Sequence, residues 1–208
     1  MRKLILTTAA VAAAIGLVGC DDPNTLIDKR DGQKYRTVMI GGDRWMAENL
    51  NHTTDSSWCY NNDTSYCKKY GRLYDWKTAT TVCPKGWKLP SREDWNYLGQ
   101  AVGGEGMLRD KGMIYWDGAG KNLKSKSGWN DRNDESSGNG TDSFGFSALP
   151  GGFRNSDGDF GRAGNDGYWW TASDYTYHRG MIYLDDYVYE YNDDKGYGLS
   201  VRCVADNP

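Results

Sequence analysis

The stretch KYRTVMIGGDRWMAENL, residues 34–50, carries the clearest fold signal in this sequence. Polar and apolar residues alternate on both sides of the Gly41-Gly42 pair. Glycine pairs suit the positive backbone angles of a tight turn between antiparallel strands. The pattern therefore predicts a β-hairpin that reverses direction at Gly41-Gly42. We place this hairpin at the start of a single globular domain that covers residues 31–206.

Two helices are predicted to follow the hairpin. In residues 74–82 apolar side chains recur at near-helical spacing, and the pattern stops at Cys83-Pro84. The second helix begins after Pro90, where Ser91 can cap its first turn and Asp94 occupies the reciprocal position of a capping box.

The rest of the chain is dominated by short strands and loops. Residues 103–142 are rich in Gly, Asn, Asp and Ser, and we expect them to be mostly irregular. Beyond them, four segments separated by turn residues are typical of strands: FGFSALPGGFR, YWWTAS, RGMIYLDDYVYEY and GLSVRCV. The sequence therefore indicates an α+β domain, with two helices packed on short antiparallel sheets and long irregular loops.

The N-terminal residues predict export and lipidation. A basic start, an apolar run over residues 4–18 and the tetrapeptide LVGC ending at Cys20 are typical of a lipoprotein signal. We expect residues 1–19 to be removed, Cys20 to carry the lipid and residues 20–30 to contain the tether. The apolar run is shorter than the roughly 20 residues that a membrane-spanning helix requires. The expected location is the cell envelope, anchored by lipid at the outer membrane.

Four cysteines remain after Cys20, and an even number in an exported chain indicates disulfide bonds. Three pairings are possible. The cost of loop closure favours Cys59 with Cys67, which leaves Cys83 to pair with Cys203. No two cysteines have the spacing of a zinc site.

Composition and motifs argue against nucleic-acid binding and against catalysis. The formal net charge is -3 and the basic residues are scattered, whereas phosphate binding needs clustered Lys and Arg. The serine-hydrolase, zinc-protease and phosphate-loop motifs are absent from the sequence. His52 and His178 lie in polar segments and are predicted to be solvated surface residues. Asp185 and Asp186 are neighbours in a predicted strand, so they would point to opposite faces and could not flank one bond. We expect no enzyme activity.

No cofactor is predicted, and calcium is the alternative to consider. Hard cations bind several oxygen ligands, and two segments concentrate Asn, Asp and Glu: Asn130, Asp131, Asn133, Asp134 and Glu135, and Asn155, Asp157 and Asp159. Ordinary turns in polar loops explain both segments better, so we predict no metal site.

Aromatic residues suggest a ligand-binding surface. If residues 179–191 form one strand, alternation places Tyr183, Asp185, Tyr187, Tyr189 and Tyr191 on one face. Tyr and Trp combine an apolar ring with a polar group, which suits polysaccharide recognition as well as core packing. The predicted contacts are Arg154, Asp157, Trp170, Tyr175, Tyr183, Tyr187 and Tyr189. The tyrosine face could instead pack inside the protein. Four tryptophans in apolar segments are assigned to the core: Trp45, Trp76, Trp87 and Trp95.

Six segments, in this order between Asp31 and Asp206, carry a family resemblance: DGQKYRTVMIGGDRWMAENLN, YGRLYDW, CPKGWKLPSREDW, FSALPGGFR, YWWTAS and YGLSVRCV. Through them the chain resembles the Fibrobacter succinogenes major paralogous domain, a family of lipoprotein-type domains. The resemblance implies a C-type-lectin-like fold, related in plan to the formylglycine-generating-enzyme domain. In that plan the terminal strands meet, and a long-range disulfide, here between Cys83 and Cys203, ties a helix end to the last strand. Formylglycine-generating relatives depend on reactive cysteines near their C-terminal end, whereas Cys203 is expected in a disulfide.

The resemblance implies no firmly assigned activity, so two functions remain open. The first is a membrane-anchored, non-catalytic recognition or adhesion module for polysaccharide or other cell-surface ligands. It predicts exposed aromatic residues clustered on one face. The second is a structural envelope lipoprotein that acts through contacts with other envelope proteins, and it predicts aromatic residues buried in the core.

Overall fold

In a computed structural model of the protein, residues 22–108, 112–173 and 175–206 are described. The predicted signal over residues 1–19 and the predicted lipidation of Cys20 lie outside these ranges. Within them, no helix has the length and apolar character needed to cross a membrane.

The structure is built mainly from short strands. These strands are β1 (Thr25–Ile27), β2 (Lys34–Ile40), β3 (Asp43–Met46), β4 (Ser57–Trp58), β5 (Leu73–Tyr74), β6 (Trp87–Lys88), β7 (Glu105–Leu108), β8 (Ile114–Asp117), β9 (Phe153–Arg154), β10 (Phe160–Gly161), β11 (Asp166–Trp170), β12 (Tyr177–Ile182), β13 (Tyr189–Asn192), β14 (Leu199–Ser200) and β15 (Val204–Ala205). The α-helices are α1 (Thr64–Tyr70), α2 (Trp76–Ala79), α3 (Arg92–Ala101) and α4 (Ala119–Leu123). The composition of elements is mixed α and β, as predicted.

A five-stranded sheet brings the two ends of the described chain together. Its strand order is β1-β2-β3-β15-β6. The predicted hairpin is confirmed: β2 pairs antiparallel with β3, and the chain reverses at Gly41 and Gly42, both of which have positive φ. Trp45 of β3 lies opposite Val204 of β15. The disulfide between Cys83 and Cys203 joins the segment after α2 to the residue before β15, so the last strand is fixed at two points.

The segment predicted to be a tether belongs partly to this sheet. Residues 25–27 form β1, which pairs antiparallel with β2. Asp28 is fully buried and its carboxylate forms a bidentate contact with the Arg30 guanidinium. The ordered domain therefore begins before Asp31, and the prediction that residues 20–30 are all tether is wrong.

The second sheet has six strands in the order β13-β12-β11-β14-β5-β4. Residues 179–191 were expected to form one strand, but β12 ends at Ile182 and β13 begins at Tyr189. At this break the backbone carbonyls of Ile182, the last residue of β12, and Asp185 accept hydrogen bonds from Lys124 Nζ, at 3.1 and 2.6 Å. These contacts with a distant lysine stabilise the chain reversal, which the local sequence does not indicate.

The helices match the predictions in part. Helix α3 has the predicted capping box between Ser91 and Asp94. Helix α2 is limited to one turn after its Asp75 cap, although the apolar pattern extended to Val82. Helices α1 and α4 were not predicted. The region 103–142, expected to be irregular, contains α4 and the β7–β8 hairpin.

The core consists of two hydrophobic clusters on opposite faces of β11. Neighbouring residues of a strand point to opposite faces, so Trp169 packs into the first cluster with Trp45 and Trp95, and Trp170 packs into the second with Tyr74. The core assignment of Trp45 and Trp95 is confirmed, since they are 0 % and 1 % exposed. Trp76 and Trp87 are half-buried against the second cluster.

A buried arginine ties the last segment to the core. Arg202 is fully buried, and its Nε and Nη2 donate to Asn49 Oδ1 at 3.1 and 2.9 Å. Its guanidinium also donates to the carbonyl of Phe146 and stacks on the Phe146 ring. Burial lowers the Arg202 pKa to about 9. Since a buried cation is costly unless it is hydrogen-bonded, this network fixes the segment just before β15.

Candidate functional site

An aromatic surface lies at the β13 edge of the six-stranded sheet. In the β12–β13 pairing, Tyr189 lies opposite Gly180 and Tyr191 lies opposite His178, so these four residues share one face. The alternate residues Arg179 and Glu190 point to the other face, where Arg179 Nη2 donates to Asn96 Oδ1 of α3 at 2.8 Å. The face of Tyr189 and Tyr191 is therefore the one not covered by α3.

The tyrosine rings on this face form a continuous strip. The ring centroids of Tyr187 and Tyr189 are 5.6 Å apart, and those of Tyr189 and Tyr191 are also 5.6 Å apart. Tyr168 of β11 continues the row at 5.9 Å from Tyr191, and Tyr115 of β8 lies edge-on to Tyr189 at 5.0 Å. We call these five residues the tyrosine strip: Tyr115, Tyr168, Tyr187, Tyr189 and Tyr191.

A glycine makes the close approach of two of these rings possible. A Cβ atom added to Gly180 would lie 2.7 Å from Tyr191 Cε2 and 2.9 Å from Tyr168 Cδ1. Real Cβ atoms essentially never approach other atoms so closely. The rings of Tyr168 and Tyr191 therefore lie against the backbone of β12 because position 180 has no side chain.

Carboxylates fix the orientation of two phenols. Tyr189 Oη donates to Asp185 Oδ2 at 2.6 Å, and Tyr168 Oη donates to Asp166 Oδ2 at 3.0 Å. Burial, assisted by these carboxylates, raises the pKa of both phenols well above the ordinary value. Burial also raises the Asp166 pKa. Both tyrosines are consequently neutral and held in fixed orientations near neutral pH.

Two cavities adjoin the strip and share Tyr191 as a wall. The first, which we call the outer cleft, has a volume of about 480 Å³ and is lined by Met113, Tyr115, Tyr177, Glu190, Tyr191 and Asn192. The second, which we call the aromatic cavity, has a volume of about 280 Å³ and is lined by Phe153, Tyr168, Tyr191, Asp193, Tyr197 and Leu199. Ligand pockets commonly combine such ring walls with a few polar groups.

The outer cleft has a rigid, charge-compensated base. Glu190 is fully buried, and Arg92 Nε and Nη2 donate to its two carboxylate oxygens at 2.6 and 2.7 Å. The Arg179 guanidinium lies 3.2 Å from the same carboxylate. Arg92 also stacks over the Tyr177 ring, with its guanidinium carbon 4.7 Å from the ring centroid. Two guanidinium groups therefore hold the one Glu190 carboxylate, and the rest of the lining consists of Met113, three tyrosine rings and the Asn192 amide.

His178 was predicted to be a solvated surface residue, and that prediction is wrong. Its side chain is 1 % exposed and stacks on Tyr191, with 5.5 Å between ring centroids. Burial lowers the His178 pKa to about 3, so the imidazole is neutral at physiological pH. Its Nε2 lies 3.4 Å from Asp193 Oδ2. The imidazole therefore packs against the Tyr191 ring and helps to fix its position in the strip. His52 is half-buried, with Nδ1 2.7 Å from Asp31 Oδ2.

Three predicted contact residues lie in or beside the surface. Tyr187 and Tyr189 belong to the tyrosine strip. Tyr175 is 73 % exposed, and its ring lies 6.2 Å from that of Tyr177, which lines the outer cleft.

Four predicted contact residues do not belong to the strip. Trp170 is fully buried and its indole Nε1 donates to the Tyr74 carbonyl at 2.7 Å, so it is a core residue and not an exposed contact. Tyr183 packs against the first core cluster, because the chain reversal after β12 breaks the expected alternation. Arg154 stacks over Trp58, with its guanidinium carbon 4.3 Å from the ring centroid, and Asp157 lies in the exposed β9–β10 turn.

Sequence reasoning missed three residues of this surface: Tyr115, Phe153 and Tyr197. They come from three separate segments outside the six-stranded sheet, and only tertiary packing brings them near β13. The one local signal was the YWW triplet at residues 168–170, in which alternation places the first and third rings on one face. Tyr168 and Trp170 do share a face, but only Tyr168 reaches the cavity.

The two acidic segments use side-chain oxygens for local turns. Asp134 Oδ1 accepts hydrogen bonds from the Ser136 amide and hydroxyl, and Asn155 Oδ1 accepts from the Asp159 amide. Among the described residues, the one group with three potential ligand atoms within 4.8 Å is Asp28, Asp31 and His52. Since Arg30 already occupies the Asp28 carboxylate, we assign this group to the structure of the N-terminal segment.

Comparisons with known proteins give one match. The model of the family described as Fibrobacter succinogenes major domain matches residues 38–205. No curated protein matches the chain, and no solved structure matches it.

Proposed function

We propose that this chain, which belongs to the Fibrobacter succinogenes major domain family, is a non-catalytic recognition module that binds polysaccharide through the tyrosine strip. The observation that carries the proposal is the strip itself, with the outer cleft beside it. Sugar rings have apolar faces that stack on aromatic rings and hydroxyl groups that need polar partners. Tyrosine supplies both kinds of contact from one side chain.

The partial exposure and fixed orientation of the strip residues support ligand binding over simple core packing. Tyr187, Tyr189 and Tyr191 are half-buried, so each ring leaves part of its surface open to solvent. Tyr189 is held by its hydrogen bond to Asp185, and Tyr191 is held by stacking on His178. A surface that is already rigid loses less conformational entropy when it binds a ligand.

We further propose that the module is exported and attached to the outer membrane by a lipid on Cys20. The N-terminal pattern ending in LVGC supports this proposal. The two disulfides also support it, because such bonds persist in oxidising compartments.

We also propose a C-type-lectin-like plan for the fold. The pairing of β3 with β15 and the long-range disulfide to Cys203 agree with this plan.

The experiment that tests the polysaccharide proposal is retention of the mature chain without its lipidated Cys20, residues 21–208, on insoluble cellulose, xylan and peptidoglycan. The test variants are Tyr187→Ala and Tyr189→Ala. Tyr189→Phe separates the ring from its hydroxyl group. The matched control is Tyr97→Ala, which removes a 63 % exposed tyrosine from α3 on the other face of the sheet.

We expect retention on at least one matrix, weakened about tenfold by each test variant, which corresponds to about 1.4 kcal/mol of binding free energy. Tyr97→Ala should bind like the unchanged protein. Retention lost equally in Tyr97→Ala would contradict the assignment of the binding face. No retention on any matrix would refute polysaccharide binding and favour a structural envelope lipoprotein that contacts other envelope proteins.

A further inference from the structure

The aromatic cavity differs from the outer cleft in shape and charge. Its walls are the half-buried rings of Phe153, Tyr168, Tyr191 and Tyr197, and Leu199 closes the base. The rings of Phe153 and Tyr168 meet at 68°, and those of Tyr168 and Tyr191 also meet at 68°. The rings of Phe153 and Tyr197 lie closer to parallel, at 31°. The two steep angles at Tyr168 make the lining a box and not a flat platform.

Two walls of the box are held by contacts outside it, and the other two pack on each other. Tyr168 donates its hydroxyl to Asp166, and Tyr191 stacks on the buried His178 imidazole. Phe153 packs against Tyr197, with 5.7 Å between ring centroids. Tyr168 and Tyr191 also lie directly against Gly180. These contacts fix the positions of the four rings.

The rim of the box carries a carboxylate without a cationic partner. Asp193 lines the cavity, and within the described ranges no Lys or Arg lies within 4.0 Å of its carboxylate. The His178 imidazole 3.4 Å away is neutral because burial lowers its pKa. The Asp193 side chain is 43 % exposed, so water reaches its carboxylate, and partial burial raises its pKa. A cation bound in the cavity would pair directly with this carboxylate.

We propose that the aromatic cavity is a cage for a methylated ammonium group, of the kind carried by choline. The faces of aromatic rings attract cations, and recognition of quaternary ammonium groups by several rings is the established use of such cages. Methyl groups suit the apolar walls, and Asp193 at the rim supplies the opposite charge. This inference goes beyond polysaccharide binding and concerns a different cavity.

Calorimetric titration of the mature chain with choline tests the proposal. The control ligand is the neutral isostere of choline in which a tert-butyl group replaces the trimethylammonium group. We expect the isostere to bind about tenfold more weakly than choline, because it has the same shape but no charge. Equal binding of the two ligands would overturn the cage and leave an ordinary apolar pocket.

Two variants locate the site. Asp193→Asn should weaken choline binding about tenfold, whereas Asp157→Asn, which removes an exposed carboxylate from the β9–β10 turn, should leave it unchanged. Tyr197→Leu should also weaken binding, since it keeps an apolar wall and removes a ring. Thermal unfolding of each variant confirms that the fold is retained. Unchanged choline affinity in both folded variants Asp193→Asn and Tyr197→Leu would refute the assignment.

Two further measurements ask whether the ammonium group belongs to a lipid or to a soluble molecule, and whether choline binding is independent of polysaccharide binding. Binding to free choline and to phosphatidylcholine vesicles supports a lipid headgroup as ligand, and binding to free choline alone supports a soluble ligand. No binding to free choline overturns the proposal. Tyr189→Ala should weaken polysaccharide retention about tenfold and leave choline binding intact, so failure of one proposal does not imply failure of the other.

Discussion

Removal of the long-range disulfide should destabilise the fold about twice as much as removal of the short one. The Cys83–Cys203 bond has a sequence separation of 120 and the Cys59–Cys67 bond a separation of 8. In the chain-entropy model the stabilisation grows with the logarithm of the closed loop, which gives about 4.9 kcal/mol for the long loop and about 2.5 kcal/mol for the short one. Because Cys203 is fully buried in the second core cluster, its loss also creates a small cavity.

The assay is urea unfolding of the unchanged chain and of two double variants, Cys83→Ala with Cys203→Ala and Cys59→Ala with Cys67→Ala. The expected difference between the two losses is about 2.4 kcal/mol, with the long-range variant less stable. The short-range variant is the control for loss of two half-cystines. Equal losses would show that the stabilisation does not come from loop closure, and a larger loss in the short-range variant would refute the reasoning.

Three further predictions concern single residues. Gly180→Ala should cost about 1 to 3 kcal/mol by overpacking against Tyr168 and Tyr191, and a cost near zero in urea unfolding would contradict their close approach to β12. Burial lowers the His178 pKa from 6.5 to about 3, so the unfolded chain binds a proton in this pH range and the folded chain does not. Stability should therefore fall as pH decreases from about 6 to about 4, by about 1.4 kcal/mol per unit more than in His178→Phe; parallel pH profiles of the two proteins would argue against a neutral buried imidazole. Ser91→Ala should cost about 1 kcal/mol by removing the α3 cap, Ser91→Asp should restore most of it, and equal stability of all three proteins would rule out a contribution from this cap.

Features with a local cause could be predicted from the sequence. The hairpin at Gly41-Gly42 follows from two glycines between alternating strands, and both have positive φ in the structure. The start of α3 follows from Ser91 and Asp94, whose capping box is formed as expected. The disulfide pairing follows from the cost of loop closure, and both bonds are present.

Features that depend on distant partners could not be predicted. The reversal between β12 and β13 is stabilised by hydrogen bonds from Lys124, which lies far away in sequence. His178 was placed at the surface because its neighbours are polar, but pairing with β11 and β13 buries it. The tyrosine row was predicted from alternation alone, so Tyr189 and Tyr191 were placed correctly on one face and Tyr183 was not.

If Cys20 carries a lipid as proposed, the position of β1 limits how far the domain can extend from the membrane. Strand β1 begins at Thr25, five positions after Cys20. A fully extended chain spans at most about 3.6 Å per residue, so a lipid on Cys20 would hold β1 within about 18 Å of the bilayer surface. The domain would then sit at the base of any surface coat, and its ligands would be polymers or headgroups found at the lipid surface itself.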